Sequence, residues 1–271
     1  MNEPLTSLQN PTVKQLVNLR DRRARDTTGQ FLIEGYREIL RAEGSGHPIE
    51  KLFICEELFL GSNEHPLIER IRKKGASIQP CSVNVFHKIS YRDRPDGLLA
   101  LAPQQRLHLS DLEKNLRPNA PPFLVVAEAI EKPGNLGTIL RSSDAVGVDG
   151  LIVCDQCTDI YNPNVVRASV GTLFTVPVIA ASGKETIAWL KSKGIAIVAA
   201  TPSAEKEFTD IDLTRAVAIA VGTEQLGLSK DWMQEADIQV RIPMNGVADS
   251  LNVAMATTLL LYEVLRQRKK N

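Results

Sequence analysis

Six apolar runs in the second half of the chain constrain the fold most strongly. They are Phe123–Ala129, Leu151–Cys154, Val176–Ala180, Ile195–Ala200, Ala216–Val221 and Ile238–Ile242. Most are near-continuous apolar stretches, which read as strands of a sheet covered on both faces, while Ile238–Ile242 alternates with Gln239 and Arg241. Between and after them, Thr138–Val146, Asn164–Val170, Lys184–Lys193 and Ser250–Arg266 read as helices. Buried strands alternating with helices predict an α/β domain with a parallel sheet covered on both sides. In such sheets ligands bind beyond the carboxyl ends of the strands, so the chemistry is expected in the loops there.

The first half is a smaller α/β pattern. Pro11–Arg25 reads as one helix, Gln30–Ile33 as a strand and Tyr36–Ala42 as a helix. Lys51–Cys55, a helix around Leu67–Lys74, then Ser77–Gln79 and Gly97–Ala102 follow. The stretch from Pro103 to Pro122 is polar and holds four prolines, which marks a boundary. The division predicted is a first domain over 1–107, a linker over 108–120 and a second domain over 121–271.

Formal net charge is zero, but it is unevenly spread. Residues 1–107 carry 16 Lys and Arg against 13 Asp and Glu, a net +3, and residues 108–271 carry 16 against 19, a net −3. Basic residues of the first part cluster as Arg20, Arg22, Arg23 and Arg25, as Arg70, Arg72, Lys73 and Lys74, and as Arg92 and Arg94. These are either solvated helix faces or a surface that contacts phosphates. For the second reading, Arg22, Arg23, Arg25, Arg92 and Arg94 are the candidate RNA-binding residues.

All four histidines, His47, His65, His87 and His108, precede residue 109. The second domain therefore has no Ser-His-Asp triad and no histidine zinc motif. Cys154 and Cys157 form a lone C-x-x-C, read as plain thiols, a redox pair or half a zinc site; no metal site is expected. No G-x-G-x-x-G follows a strand. Gly222 to Ser229 has the spacing of a phosphate loop, but Leu228 stands where its lysine belongs, and Glu224 would repel phosphate. A loop with an acid and no lysine suits a ligand carrying positive charge. The polar N-terminus and the lack of a membrane-length apolar run predict a cytoplasmic protein with no membrane partner.

Three loops follow apolar strands. The first runs from Glu131 through Asn135 and Gly137 to Arg141, with Asn135 at a turn or helix cap. Arg141 is either an ordinary surface arginine on a capped helix or a functional cation. The second is Gly222-Thr-Glu-Gln-Leu-Gly227-Leu228. The third holds Ile242-Pro-Met244 and then Ser250-Leu-Asn-Val253, where Ser250 is expected to cap the last helix and Asn252 to lie in its first turn.

Together these segments resemble the three signature motifs of the SpoU/TrmH family of RNA ribose 2′-O-methyltransferases, in the SPOUT superfamily. Asn135, Gly137 and Arg141 match the first motif. Gly222, Thr223, Glu224, Gly227 and Leu228 match the second, and Ile242 to Met244 with Ser250 to Val253 match the third. Gln225 and Ala254 depart mildly from residues common there. Ser7 to Lys14 and Phe31 to Gly35 are similar to the L30e-like RNA-binding domain that precedes the catalytic domain in many members. The resemblance implies a C-terminal SPOUT domain whose parallel sheet carries a deep trefoil knot, preceded by a small α/β L30e-like domain. It implies S-adenosylmethionine as cofactor, held mainly by backbone groups at Gly222, Ile242 and Leu251, with Thr201 and Met244 beside them. It implies a homodimer through the C-terminal domain, and an RNA substrate, ribosomal RNA rather than transfer RNA. The catalytic set implied is Arg141 with Asn135, Glu224, Ser250 and Asn252. The family proposal makes the arginine a base, but a guanidinium stays protonated in proteins, which favours a phosphate clamp and alkoxide stabiliser. The alternative is a non-catalytic RNA-binding protein of the same fold, which would have no need to keep Arg141, Glu224 and Asn252 together.

Overall fold

In a computed structural model describing residues 3–269, the apolar runs become strands close to their expected bounds. In chain order the elements are α1 (Pro11–Asn18), α2 (Arg22–Thr28), β1 (Gln30–Glu34), α3 (Tyr36–Gly44), β2 (Lys51–Ile54), α4 (Glu64–Lys73), β3 (Ser77–Pro80), α5 (Val83–Ile89) and β4 (Leu98–Pro103). They continue as α6 (Leu109–Asn115), β5 (Phe123–Glu128), α7 (Pro133–Val146), β6 (Gly150–Cys154), α8 (Pro163–Ser169), β7 (Val178–Ala181), α9 (Gly183–Ser192) and β8 (Ala196–Ala200). The last are β9 (Lys206–Glu207), β10 (Val217–Val221), α10 (Lys230–Glu235), β11 (Ile238–Arg241) and α11 (Val253–Arg268).

The chain divides into two compact units. One comprises residues up to Gln105 together with Asp159–Thr175, and the other Arg106–Thr158 and the residues from Val176 on. The segment Asp159–Thr175 was expected in the second domain, yet it packs within the first unit. A buried ion pair is one reason: Arg25 Nε donates to Asp159 Oδ2 at 2.7 Å. The other is Gly171, at φ +82°, where a Cβ would stand 3.0 Å from the Glu38 backbone.

The first unit holds a four-stranded sheet in the order β1-β4-β2-β3. The β1–β4 and β4–β2 pairs are antiparallel and β2–β3 is parallel. Val13 and Leu16 of α1 and Val85, Phe86 and Ile89 of α5 cover one face, packed on Phe53, Leu99 and Leu101. The single helix expected over Pro11–Arg25 is two helices. Asp21 breaks it, because its side chain accepts the Arg23 backbone N–H at 2.7 Å and starts α2 afresh.

The second unit is a seven-stranded sheet in the order β7-β6-β5-β10-β8-β11-β9, parallel throughout. Its inner strands β5, β6 and β10 are buried along their whole length and β8 through its middle, as near-continuous apolar runs require, whereas β7, β11 and β9 are partly exposed. Residues 108–120, expected as a linker, carry α6. The Asp111 carboxylate accepts the His108 backbone N–H at 3.0 Å, and Leu112 enters the core of this unit beside Ile152 and Ile179. The chain moves outward from β5 through β6 to β7, then returns past β10 to form β8. That reversal opens a crevice at the carboxyl ends of β5, β10, β8 and β11, where all three motif loops lie.

Candidate active site

The second motif loop leaves β10 at Gly222 and doubles back. Thr223 N donates to Gly227 O at 3.0 Å and Gly227 N to Thr223 O at 3.1 Å. Gly227 sits at φ +68°, where a side chain is strained, and a Cβ on Gly222 would lie 2.2 Å from the Gly227 oxygen. Both glycines are thus required by the fold of the loop. Its far end is pinned by Glu128, a buried carboxylate at the end of β5, which accepts the Ser229 backbone N–H at 2.7 Å.

This tight turn presents Glu224, and the other two motifs meet there. Asn135 Nδ2 and Asn252 Nδ2 each donate to Glu224 Oε1 at 2.7 Å. Asn252 Nδ2 also approaches Asn135 Oδ1 at 3.2 Å. Lys132 forms an ion pair with Glu224 Oε2. The Lys132 hydrogen bond, followed by that of Asn135, holds the Glu224 carboxyl below its ordinary range, so the group is ionised at neutral pH. Lys132 is two-thirds exposed, so the pair contributes little stability; its consequence is geometric. The positions matched by the three motifs, far apart in sequence, share one carboxylate.

Asn252, not Ser250, caps the last helix. Its Oδ1 accepts the Ala254 N–H at 3.0 Å while its amide reaches Glu224, so one side chain starts α11 and completes the cluster. Ser250 is exposed and lines the neighbouring cavity. Arg141 lies on the exposed face of α7 and takes no part in the Glu224 cluster. Lys132 was missed by sequence reasoning: before Pro133-Gly134 it reads as a loop lysine, and only the folded chain puts it on Glu224.

Beside the cluster is a cavity of about 350 Å³ at the carboxyl ends of β10, β8 and β11. Thr201, Gly222, Ile242, Met244 and Leu251 all line it, together with Glu224 and Asp249. The wall contains two carboxylates and no lysine, arginine or histidine. That composition disfavours a phosphate and suits a ligand with a cationic centre. S-adenosylmethionine fits: its sulfonium is cationic, and a glycine whose Cβ would collide with its own loop leaves bare backbone to bind polar edges.

Comparison with known proteins follows the same lines. The profile of the SpoU rRNA Methylase family matches residues 122–262, and that of the MRM3-like substrate binding domain matches residues 10–100. The chain belongs to the SpoU rRNA methylase family. A 23S rRNA (uridine(2479)-2′-O)-methyltransferase from Streptomyces viridochromogenes is 32% identical to this SpoU chain over 258 residues, 92% of this chain and 87% of that protein. Among solved structures, an RNA 2′-O ribose methyltransferase is 42% identical with a TM-score of 0.83, covering 98% of this chain and 100% of the other. An AdoMet-bound rRNA methyltransferase from Sinorhizobium meliloti is 30% identical with a TM-score of 0.88, over 97% of both chains.

The arginines expected on RNA divide in this SpoU chain. Arg25 is a correction. It is 1% exposed, and its guanidinium is held by Asp159 at 2.7 and 2.6 Å and by the carbonyls of Leu19 and Arg20, each at 2.8 Å. Four of its five N–H donors are used and the group is buried, so a phosphate does not reach it. Arg92 is largely engaged too, donating to Glu34 O at 3.0 Å and Glu38 Oε1 at 2.6 Å. Arg22, Arg23 and Arg94 are exposed, with Arg22 3.6 Å from Asp26. Cys154 is buried, its thiol pushed up to about 12 by burial and donating to Thr186 Oγ1 at 3.2 Å, whereas Cys157 is exposed; both are free thiols.

Proposed function

We propose that this protein transfers a methyl group from S-adenosylmethionine to a ribose 2′-hydroxyl of ribosomal RNA. One observation carries the reading: Asn135, Glu224 and Asn252, each from a different motif, meet in one hydrogen-bonded cluster beside a cation-free cavity. The named activities of the relatives support the substrate class. When bound, the cofactor supplies an electrophilic methyl group on a sulfonium. The backbones of Gly222, Ile242 and Leu251 hold it, with Thr201 and Met244 beside them. The ionised Glu224 stays acceptor-only and orients the Asn135 and Asn252 amides toward the ribose, and Ser250 hydrogen-bonds the same sugar. Arg141, exposed and outside the cluster, grips the RNA phosphate and stabilises the developing alkoxide as the 2′-hydroxyl gives its proton to solvent water.

The first unit selects the RNA, with Arg22, Arg23 and Arg94 on phosphates, and the second carries the chemistry. A second copy covers α11, whose Met255, Leu259 and Tyr262 form an apolar stripe 64%, 44% and 49% exposed at helical spacing. Light scattering giving a dilution-resistant monomer would remove that dimer from the account. Among the described residues no helix is long and apolar enough to cross a membrane, and a ribosomal RNA substrate would place the protein in the cytoplasm. Mapping 2′-O-methyl sites in ribosomal RNA from cells with and without the gene tests the activity. Loss of one site is expected, and unchanged ribosomal RNA would reject it.

A further inference from the structure

Two cavities of the first unit meet at Arg20. The larger is an open groove of about 1050 Å³ along α1 and α2, lined among others by Lys14, Asn18, Arg20, Arg23 and Thr27. The smaller, about 20 Å³, is lined by Arg20, Glu34, Tyr91, Arg92, Val166 and Arg167, with Leu32 and Pro163. The two walls together carry five cations, Lys14, Arg20, Arg23, Arg92 and Arg167, against the carboxylates of Asp21 and Glu34. Both acids are occupied. Asp21 caps α2, and Glu34 accepts the Ser90 hydroxyl and the Tyr91 backbone N–H at 2.7 Å. Those neutral donors leave both negative charges in place, and Arg92 is paired with Glu38 at 2.6 Å, so Lys14, Arg20, Arg23 and Arg167 against two carboxylates leave the face net cationic despite the neutral chain. The Nε–H groups of Arg20 and Arg92 are buried and find no partner among the described residues.

An aromatic ring stands in this basic face. Tyr91 is 40% exposed yet held at both ends: its backbone N–H is on Glu34, and its hydroxyl accepts from Asn164 Nδ2 at 2.9 Å. A fixed, half-open ring among arginines is the arrangement that stacks an unpaired base while cations take the flanking phosphates. Arg167 on α8 is exposed, and its side chain has no hydrogen bond or ion pair among the described residues.

We propose that Tyr91 is the stacking platform for an unpaired base of the RNA substrate, that Arg167 binds the adjacent phosphate, and that the α1–α2 groove carries the strand past Lys14 and Arg23. This rests on the RNA substrate proposed above and specifies its form, a single-stranded segment. A paired base is buried in its own stack and cannot cover the ring. Arg167 lies within the segment Asp159–Thr175, so a residue inside the methylase-family match would act in substrate selection by the first unit.

The test uses the full chain and labelled oligoadenylate of roughly ten nucleotides, within the site size of single-strand binders. Tyr91→Ala should weaken binding about fivefold or more, and Tyr91→Phe should stay within about twofold of the parent, since stacking needs the ring and not the hydroxyl. Arg167→Gln should lower the slope of log affinity against log salt by about 0.7, the loss of one phosphate contact. Melting temperature and S-adenosylmethionine affinity should be unchanged in all three. Equal binding by Tyr91→Ala, or equal competition by an RNA duplex, overturns the proposal. If the parent methylates ribosomal RNA and Tyr91→Ala does so with the same KM, this surface is wrong and the activity stands. If the parent binds oligoadenylate through Tyr91 but methylates nothing, the activity is wrong and the surface stands.

Discussion

Arg25→Met separates two readings of the same arginine. In the sequence Arg25 belongs to a basic cluster and reads as an RNA contact; in the fold it is 1% exposed and bound to Asp159. The substitution removes both contacts to Asp159 Oδ2, at 2.7 and 2.6 Å, and two contacts at 2.8 Å to the Leu19 and Arg20 carbonyls. It leaves a carboxylate 8% exposed whose remaining bond is from the Tyr161 backbone N–H at 2.9 Å. Removing one partner of a buried ion pair costs about 3–5 kcal/mol, because the other charge stays buried. For a protein of this size that lowers the melting midpoint by roughly 6–20 °C. The assay is thermal and urea unfolding of Arg25→Met beside Arg23→Gln, an exposed control expected within about 0.5 kcal/mol of the parent. The double variant Arg25→Met, Asp159→Leu should recover much of the loss, since an apolar pair can replace a buried ion pair. An Arg25→Met protein that melts like the parent but binds RNA less tightly would refute the structural reading and restore the phosphate contact.

Arg141→Ala should lose about 10²–10³-fold in kcat, the usual effect of deleting one donor to developing charge, with melting temperature and cofactor affinity unchanged because the side chain is exposed. Titration calorimetry and single-turnover rates check both halves. Gly222→Ala places a Cβ 2.2 Å from the Gly227 oxygen, so the loop must shift; cofactor affinity should fall about tenfold or more, measured by calorimetry. Glu224 has its pKa lowered in the fold, so its cluster is complete above the ordinary value of 4.5 and is lost as pH falls through the lower one. Activity should therefore show no Glu224 limb near neutral pH. Lys132→Met removes the largest cause of the lowering and should move the acid limb upward; an unmoved limb would show that the ion pair does not form in solution.

The large sheet was legible because its inner strands β5, β6, β10 and β8 are buried on both faces, and such strands appear as near-continuous apolar runs. The motif positions were legible through their resemblance to the family's signatures, and at Gly222 and Gly227 the fold supplies the reason, since one tight turn demands both glycines. What could not be read depended on partners distant in sequence. Arg25 looks like Arg22 and Arg23 until Asp159, 134 residues later, is placed beside it. Lys132 has no local signal for its ion pair with Glu224. Ser250 and Asn252 are both good caps by type, and the choice was made by the Asn252 amide, which meets Glu224 while its oxygen meets Ala254 N. Val83–Ile89 and Leu109–Asn115 are too short for helical periodicity to reveal, and Asp159–Thr175 joins the first unit through contacts that sequence order conceals.

The most direct measurement is methyl transfer by the purified protein from methyl-labelled S-adenosylmethionine to ribosomal RNA, followed by digestion to nucleosides. The account predicts that the label is recovered in a single 2′-O-methylated nucleoside and disappears with Arg141→Ala. Label recovered on a base, or none transferred by a folded protein that binds the cofactor, would contradict it.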